Sequence, residues 1–375
     1  MVARPWLGGT IAWAQVFNGI GGSVAEGGML FGLSPKMSRR ELFGRDAELE
    51  VIKAQAAAGN WVVVAGQRMM GKTSLVKVAL SELGREGFKS IYVNLMGIKS
   101  LRGLMQRLEE AWRGALEGID ASINLSLGPI HVDVRRRAAR DSLLSFLLSI
   151  DDDTVIALDE VQELSPVAPQ LLRVLGNVFA SNPRIRFIFT GSYMGLMKML
   201  IDADPDSPLY GRPPVQVKLR PFTADQSIAF LSRGFEELGI SFQGHEEAVS
   251  RLDGVVGWLT LFGNYHGVRG MELGEALKRT VEEGEKIIRS ELMHFLEGRD
   301  ADLHLAVLEA AKRENRWSSI KRGAEIILGR RLDDRTVTNA LNALVEGNII
   351  EKTTEGYRIA DPIMRNMDFW TAGQR

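Results

Sequence analysis

Hydrophobic positions along this chain follow two periodicities. Five short runs are apolar almost throughout: Val62-Val63-Val64-Ala65, Ser90–Leu95, Thr154–Leu158, Arg184–Thr190 and Pro214–Leu219. Strands buried on both faces have that composition, whereas half-exposed strands alternate. Elsewhere apolar residues return at three- and four-residue spacing, as in Leu143, Leu144, Phe146, Leu147 and Ile150, which is the stripe of an amphipathic helix. Strands alternating with helices predict an α/β fold: a parallel five-stranded sheet with right-handed crossovers, covered on both faces as a three-layer αβα core, with ligands at the carboxyl ends of the strands.

Beyond the fifth run the strand pattern stops. Thr223 is an N-cap for a helix over Thr223–Leu238 with the stripe Ile228, Phe230, Leu231 and Phe235, and a charged amphipathic segment runs from Glu272 to Leu296. These predict a helical lid. The tail reads as a winged-helix domain, with helices over Ala301–Lys312, Ser318–Leu328 and Asp334–Glu346, then strands near Ile349–Lys352 and Tyr357–Ala360. The expected division is an extension over 1–37, a core over 38–221, a lid over 222–298 and the winged helix over 299–375. The first 37 residues are glycine-rich and poor in charge, and read as a poorly ordered extension. The Leu42–Arg45 motif follows so closely that Met29 or Met37 is the expected biological start.

The stretch Trp61 to Leu75, WVVVAGQRMMGKTSL, joins a buried strand to a turn of the form G-x-x-x-x-G-K-[ST] and a helix start. Gly66 and Gly71 let backbone N–H groups curl around phosphate oxygens where side chains would hinder. Gln67, Arg68, Met69 and Met70 complete that turn, with Ser74 just inside the helix. Lys72 would reach the β- and γ-phosphates, Thr73 would offer its hydroxyl to Mg²⁺, and the helix dipole points its positive end at the anion. The Thr154–Leu158 run ends in Asp159-Glu160. A strand followed by an acidic pair is common by itself; beside a phosphate loop it gains chemistry. Asp159 would hold the Mg²⁺ shell and Glu160 would orient and deprotonate the attacking water.

Composition narrows the class. The chain has 375 residues, 45% of them apolar, and a net charge of −1, which suits two or three soluble domains and argues against polyanion binding by the whole surface. There is no cysteine, hence no disulfide framework and no thiolate metal site. Five histidines lack metal-ligand spacing, and no apolar run is long enough to span a membrane, so the expected location is cytoplasmic. Arg135, Arg136, Arg137 and Arg140 open an amphipathic helix; no aromatic interleaves them, so a solvated face is favoured over a nucleic-acid contact. The tail carries 12 Lys and Arg against 11 Asp and Glu. With Asp333 and Asp334 set among Arg330, Arg331 and Arg335, docking of a protein client or lid closure by this module is favoured over duplex DNA, which stays as the alternative.

From Glu41 to Trp370 the chain resembles the archaeal ATPases of the P-loop class, relatives of AAA+ and STAND ATPases. The marks are LFGRDAELEVI at Leu42–Ile52, GQRMMGKTSL at Gly66–Leu75, ALDEVQEL at Ala157–Leu164, FTGSYMGLM at Phe189–Met197 and SPLYGRPPVQVKLRPF at Ser207–Phe222. The resemblance implies ATP and ADP as ligands, hydrolysis with Mg²⁺, and a strand ending Thr190-Gly191-Ser192 inserted between the phosphate-loop strand and the acidic strand. Thr190 and Ser192 are then either γ-phosphate sensors or a polar turn capping the helix of Tyr193–Ile201. It implies that Phe43 or Arg45 passes beside the adenine, with helix capping as the plain alternative. Arg212 matches a recurring arginine that acts as a finger or lid-closing sensor, in its own subunit or a neighbour's, so an oligomer is admitted; a surface ion pair is the alternative. Arg68 matches a frequent loop arginine, and Met69, where a second is common, argues against an acidic partner for the loop. LDGVVGWLTL at Leu252–Leu261 is similar to a lid signature in which Gly254 and Gly257 approach the nucleotide; Trp258 reads as core. The favoured function is an Mg²⁺-dependent ATPase whose nucleotide state sets the position of lid and tail. A nucleotide-gated DNA-binding regulator and a non-hydrolysing scaffold are the alternatives.

Overall fold

A computed structural model describes residues 29–116, 139–191 and 196–370. The core runs α1 (Asp46–Ala57), β1 (Val62–Ala65), α2 (Lys72–Arg85), β2 (Lys89–Asn94), α3 (Leu101–Leu116), α4 (Ala139–Leu148), β3 (Thr154–Asp159), α5 (Ala168–Ser181), β4 (Ile185–Gly191), α6 (Leu196–Ile201) and β5 (Val215–Lys218). The strands are parallel in the order β2-β3-β4-β1-β5, so the strand ending at Gly191 stands between the phosphate-loop strand and the acidic strand. Alternation divides β1 between two cores. Val62 and Val64 join a cluster that continues through α1 and α2 into the lid and tail, while Val63 and Ala65 join one under α3, α4 and α5.

The lid comprises α7 (Ala224–Glu237), α8 (His245–Leu252), α9 (Val256–Gly263) and the long α10 (Leu273–Leu296). Thr223 caps α7 as expected, accepting from the Gln226 N–H while the Gln226 side chain returns to the Thr223 N–H. The tail is a winged helix of α11 (Ala301–Ala311), α12 (Trp317–Leu328) and α13 (Asp334–Glu346), followed by the antiparallel pair β6 (Ile350–Thr353) and β7 (Gly356–Ile359). Among the described residues no helix is long and apolar enough to cross a membrane.

One expectation is corrected. Residues 1–28 lie outside the described residues, but the extension is packed from Met29 onward. Leu30 and Phe31 are each 1% exposed. The Leu30 N–H donates to Glu237, the Asn264 amide donates to the Phe31 carbonyl, and the Lys36 N–H donates to the Ser74 hydroxyl. The physical reason is a socket: a Cβ added at Gly234 or Gly263 would lie 2.3 Å from the Phe31 ring. Segment 29–37 therefore straps lid to core.

Candidate nucleotide site

The phosphate loop leaves β1 at Ala65, where the neighbouring strand ends at Gly191. Met69 and Gly71 take left-handed backbone, φ 61° and 82°, and Gly71 sits directly before α2, so the loop wraps around the helix N-terminus. Lys72 is buried, and its ammonium donates to the carbonyls of Gly66 (2.9 Å) and Gln67 (2.8 Å). Burial pushes its pKa down, while the charges of Glu160, Asp159 and Glu291 oppose that shift. A desolvated ammonium gains most from a close anion. The Gln67 side-chain oxygen is buried and unpaired. Met70 is core, and Ser74 turns its hydroxyl to the strap.

Asp159, 2% exposed, is the hub of the acidic end. Its carboxylate accepts from the hydroxyls of Thr73 (2.8 Å), Tyr92 (2.6 Å) and Thr190. Thr73 and Asp159 thus offer hydroxyl and carboxylate oxygen side by side, a hard donor set that fits Mg²⁺. Tyr92 was not foreseen. Burial and the adjacent Asp159 charge push its pKa well up, so it stays a donor. Its sequence signal, a lone phenol in the β2 run, gains meaning only once β2 is known to pair with β3. Thr190 is fully buried and also accepts from the Glu160 N–H at 3.4 Å, so it joins both acids. Ser192 lies outside the described residues.

Glu160 follows with φ 60° and ψ 46°, left-handed backbone that a side chain rarely adopts. One of its carboxylate oxygens accepts from the Gln162 amide at 2.5 Å. Arg68 corrects another expectation: the loop does have an acidic partner, Glu291 of α10, at 2.5 Å. The Met69 position carries a different contact, its carbonyl accepting from the Gly257 N–H at 2.7 Å. Gly257 therefore presses the lid onto the phosphate loop itself. Gly254 makes its close approach to Phe222, whose N–H donates to its carbonyl.

Phe43 packs edge-on against Phe222 and Phe230, and the buried Arg45 guanidinium lies over Phe222 and donates to the Arg220 carbonyl. Both stand at the junction of core and lid, with the Arg45 Nε buried and unpaired. Trp258 is core and donates to Asp361 of the tail at 2.9 Å. Arg212 stands apart from the rest. It precedes Val215, which pairs with Val62 at the amino end of the sheet, and lies over the Phe179 ring, whereas the phosphate loop is at the carboxyl end.

Fold and site together define an ATPase of the P-loop class. The family described as an ATPase domain predominantly from Archaea matches residues 42–261, and the chain belongs to it. A Walker-type ATPase of Pyrococcus abyssi is similar at 28% identity, with a TM-score of 0.76 over 90% of this chain and 99% of that one. The ORC2 protein of Aeropyrum pernix, solved with ADPNP and ADP, shares the fold at 17% identity, with a TM-score of 0.61 over 89% of this chain and 93% of that one. No curated protein matches the chain by sequence.

Proposed function

We propose that this protein hydrolyses ATP with Mg²⁺ and uses the cycle to reposition its lid and winged helix. The observation that carries the reading is the convergence of Thr73 on Asp159, with Glu160 adjacent and Lys72 in the loop beside them. Loop amides and Lys72 would bind the phosphates, and Glu160 would take the proton of the attacking water. Thr73 and Asp159 would hold Mg²⁺, which when bound neutralises charge building on the β- and γ-phosphates. Coupling to the tail is supported by a chain of contacts: Arg68 to Glu291 on α10, Arg365 to Asp253 at 2.6 Å, and Lys198 of α6 to Glu346 of α13 at 2.6 Å. Glu160→Gln tests the reading. Turnover should fall on the order of 100-fold or more while ATP affinity is retained; turnover equal to wild type would reject it.

A second reading, duplex DNA as partner of the winged helix, is favoured by one observation. The acids held against it are engaged: Asp333 caps α13 by accepting the Arg335 N–H, and Asp334 is paired with Lys321 at 2.5 Å. Arg335, Thr338, Asn339 and Asn342 are left exposed on one helix, a set that suits the major groove. Arg331→Ala with Arg335→Ala should weaken salt-sensitive duplex binding; no binding at low salt excludes it.

A further inference from the structure

Resting on the hydrolytic reading above, we propose that Gln162 is the positioning residue for Glu160, and that Gly191, whose φ of 155° already favours glycine, leaves open the space that the Gln162 amide occupies. An ionised carboxylate only accepts hydrogen bonds, so the amide nitrogen of Gln162 faces Glu160 and its oxygen faces away. That oxygen is buried without a partner. It stands where a side chain of residue 191 would begin: a Cβ built on Gly191 lies 2.1 Å from it and 3.2 Å from Cδ. A buried unpaired acceptor is costly, and the bond to Glu160 is what the amide gains by staying.

Glu160 needs such a restraint. Its left-handed backbone persists only where surrounding contacts over-determine it, and its own N–H bond to Thr190 is long at 3.4 Å. The Gln162 amide pins one carboxylate oxygen and leaves the other to face the attacking water. Val161 and Leu164, both fully buried, fix the turn from which Gln162 projects. Among the described residues the amide's hydrogen bond goes to Glu160 and not to the phosphate loop, so its removal should leave nucleotide binding alone.

The test is steady-state Mg-ATP turnover by the full chain, with ATP affinity measured in parallel, for Gln162→Leu, Gln162→Met, Gln162→Glu and Gly191→Ala. Gln162→Leu and Gln162→Met should lower kcat on the order of ten- to hundredfold with KM within about twofold. Gln162→Glu, which sets a second carboxylate against Glu160, should lower it further. Gly191→Ala sets a methyl group against the Gln162 amide and also strains a backbone held at φ 155°, so it should lower kcat at least as far as Gln162→Leu does. The double variant should be no worse than the poorer single one, because both act through one contact. Unchanged kcat in Gln162→Leu and Gln162→Met, or losses that multiply in the double variant, would overturn the inference alone. A wild type without turnover would overturn the hydrolytic reading and this inference with it. Should Gly191→Ala fail to fold, Gln162→Met, close in volume and without the amide, still decides.

Discussion

A single missing Cβ joins lid to phosphate loop. A methyl group at Gly257 would lie 2.7 Å from both Cβ and Cε of Met69 and 2.8 Å from its carbonyl oxygen, too close for any packed pair. Met69 is itself left-handed, and its carbonyl is already held by the Gly257 N–H. Gly257→Ala should therefore push the loop out of shape, weakening ATP binding about tenfold, or ~1.4 kcal/mol, as calorimetry would record; unchanged affinity would mean the lid does not set the loop. At this scale the sequence was legible where chemistry is local. Lys72 and Thr73 follow from one turn, and Asp159 and Glu160 from one strand end. Tyr92 was not, since it matters through β3, a neighbour that the topology supplies, and Gln162, though only two residues after Glu160, shows where its amide is lodged only once the end of β4 stands against it.

Elements were legible for a different reason. Burial on both faces writes itself into a strand as an unbroken apolar run, so each of the five lies within one or two residues of its expected place. The strap over 29–37 was not, because its partners Gly234 and Gly263 stand more than 200 positions further on, and glycine in a helix stripe signals nothing about what fills the gap it leaves. Phe31 touches the rings of Phe230 and Phe235 edge-on, at 5.8 and 4.9 Å. Truncating such a side chain removes both its transfer free energy and its packing. Phe31→Ala should cost about 3–5 kcal/mol in denaturant unfolding, while Leu33→Ala, at a residue 41% exposed, should stay within about 0.5 kcal/mol. Equal effects would remove the socket as a structural element.

At the scale of the molecule the decisive fact is the polarity of the sheet. Ala65 pairs with Lys218 at the end where the phosphate loop begins, and Val62 pairs with Val215 at the other. Three residue steps of roughly 3.3 Å separate those ends, and Arg212 lies three residues further out, over Phe179 near the close of α5. Its guanidinium therefore lies toward the opposite end of the sheet from any γ-phosphate its own loop would bind. If Arg212 supplies charge in hydrolysis, the phosphate it meets belongs to a second copy, and turnover per subunit should rise with protein concentration. Arg212→Ala should then lose activity on the order of 10³-fold, the scale of an arginine finger. Mixing is the sharper measurement. An Arg212→Ala copy keeps Glu160 and lacks only the arginine, which a Glu160→Gln copy still carries, so the two poorly active proteins combined should turn over ATP well above the sum of each alone. A mixture no better than its parts, with Arg212→Ala as active as wild type, would return Arg212 to a surface residue stacked on an aromatic ring.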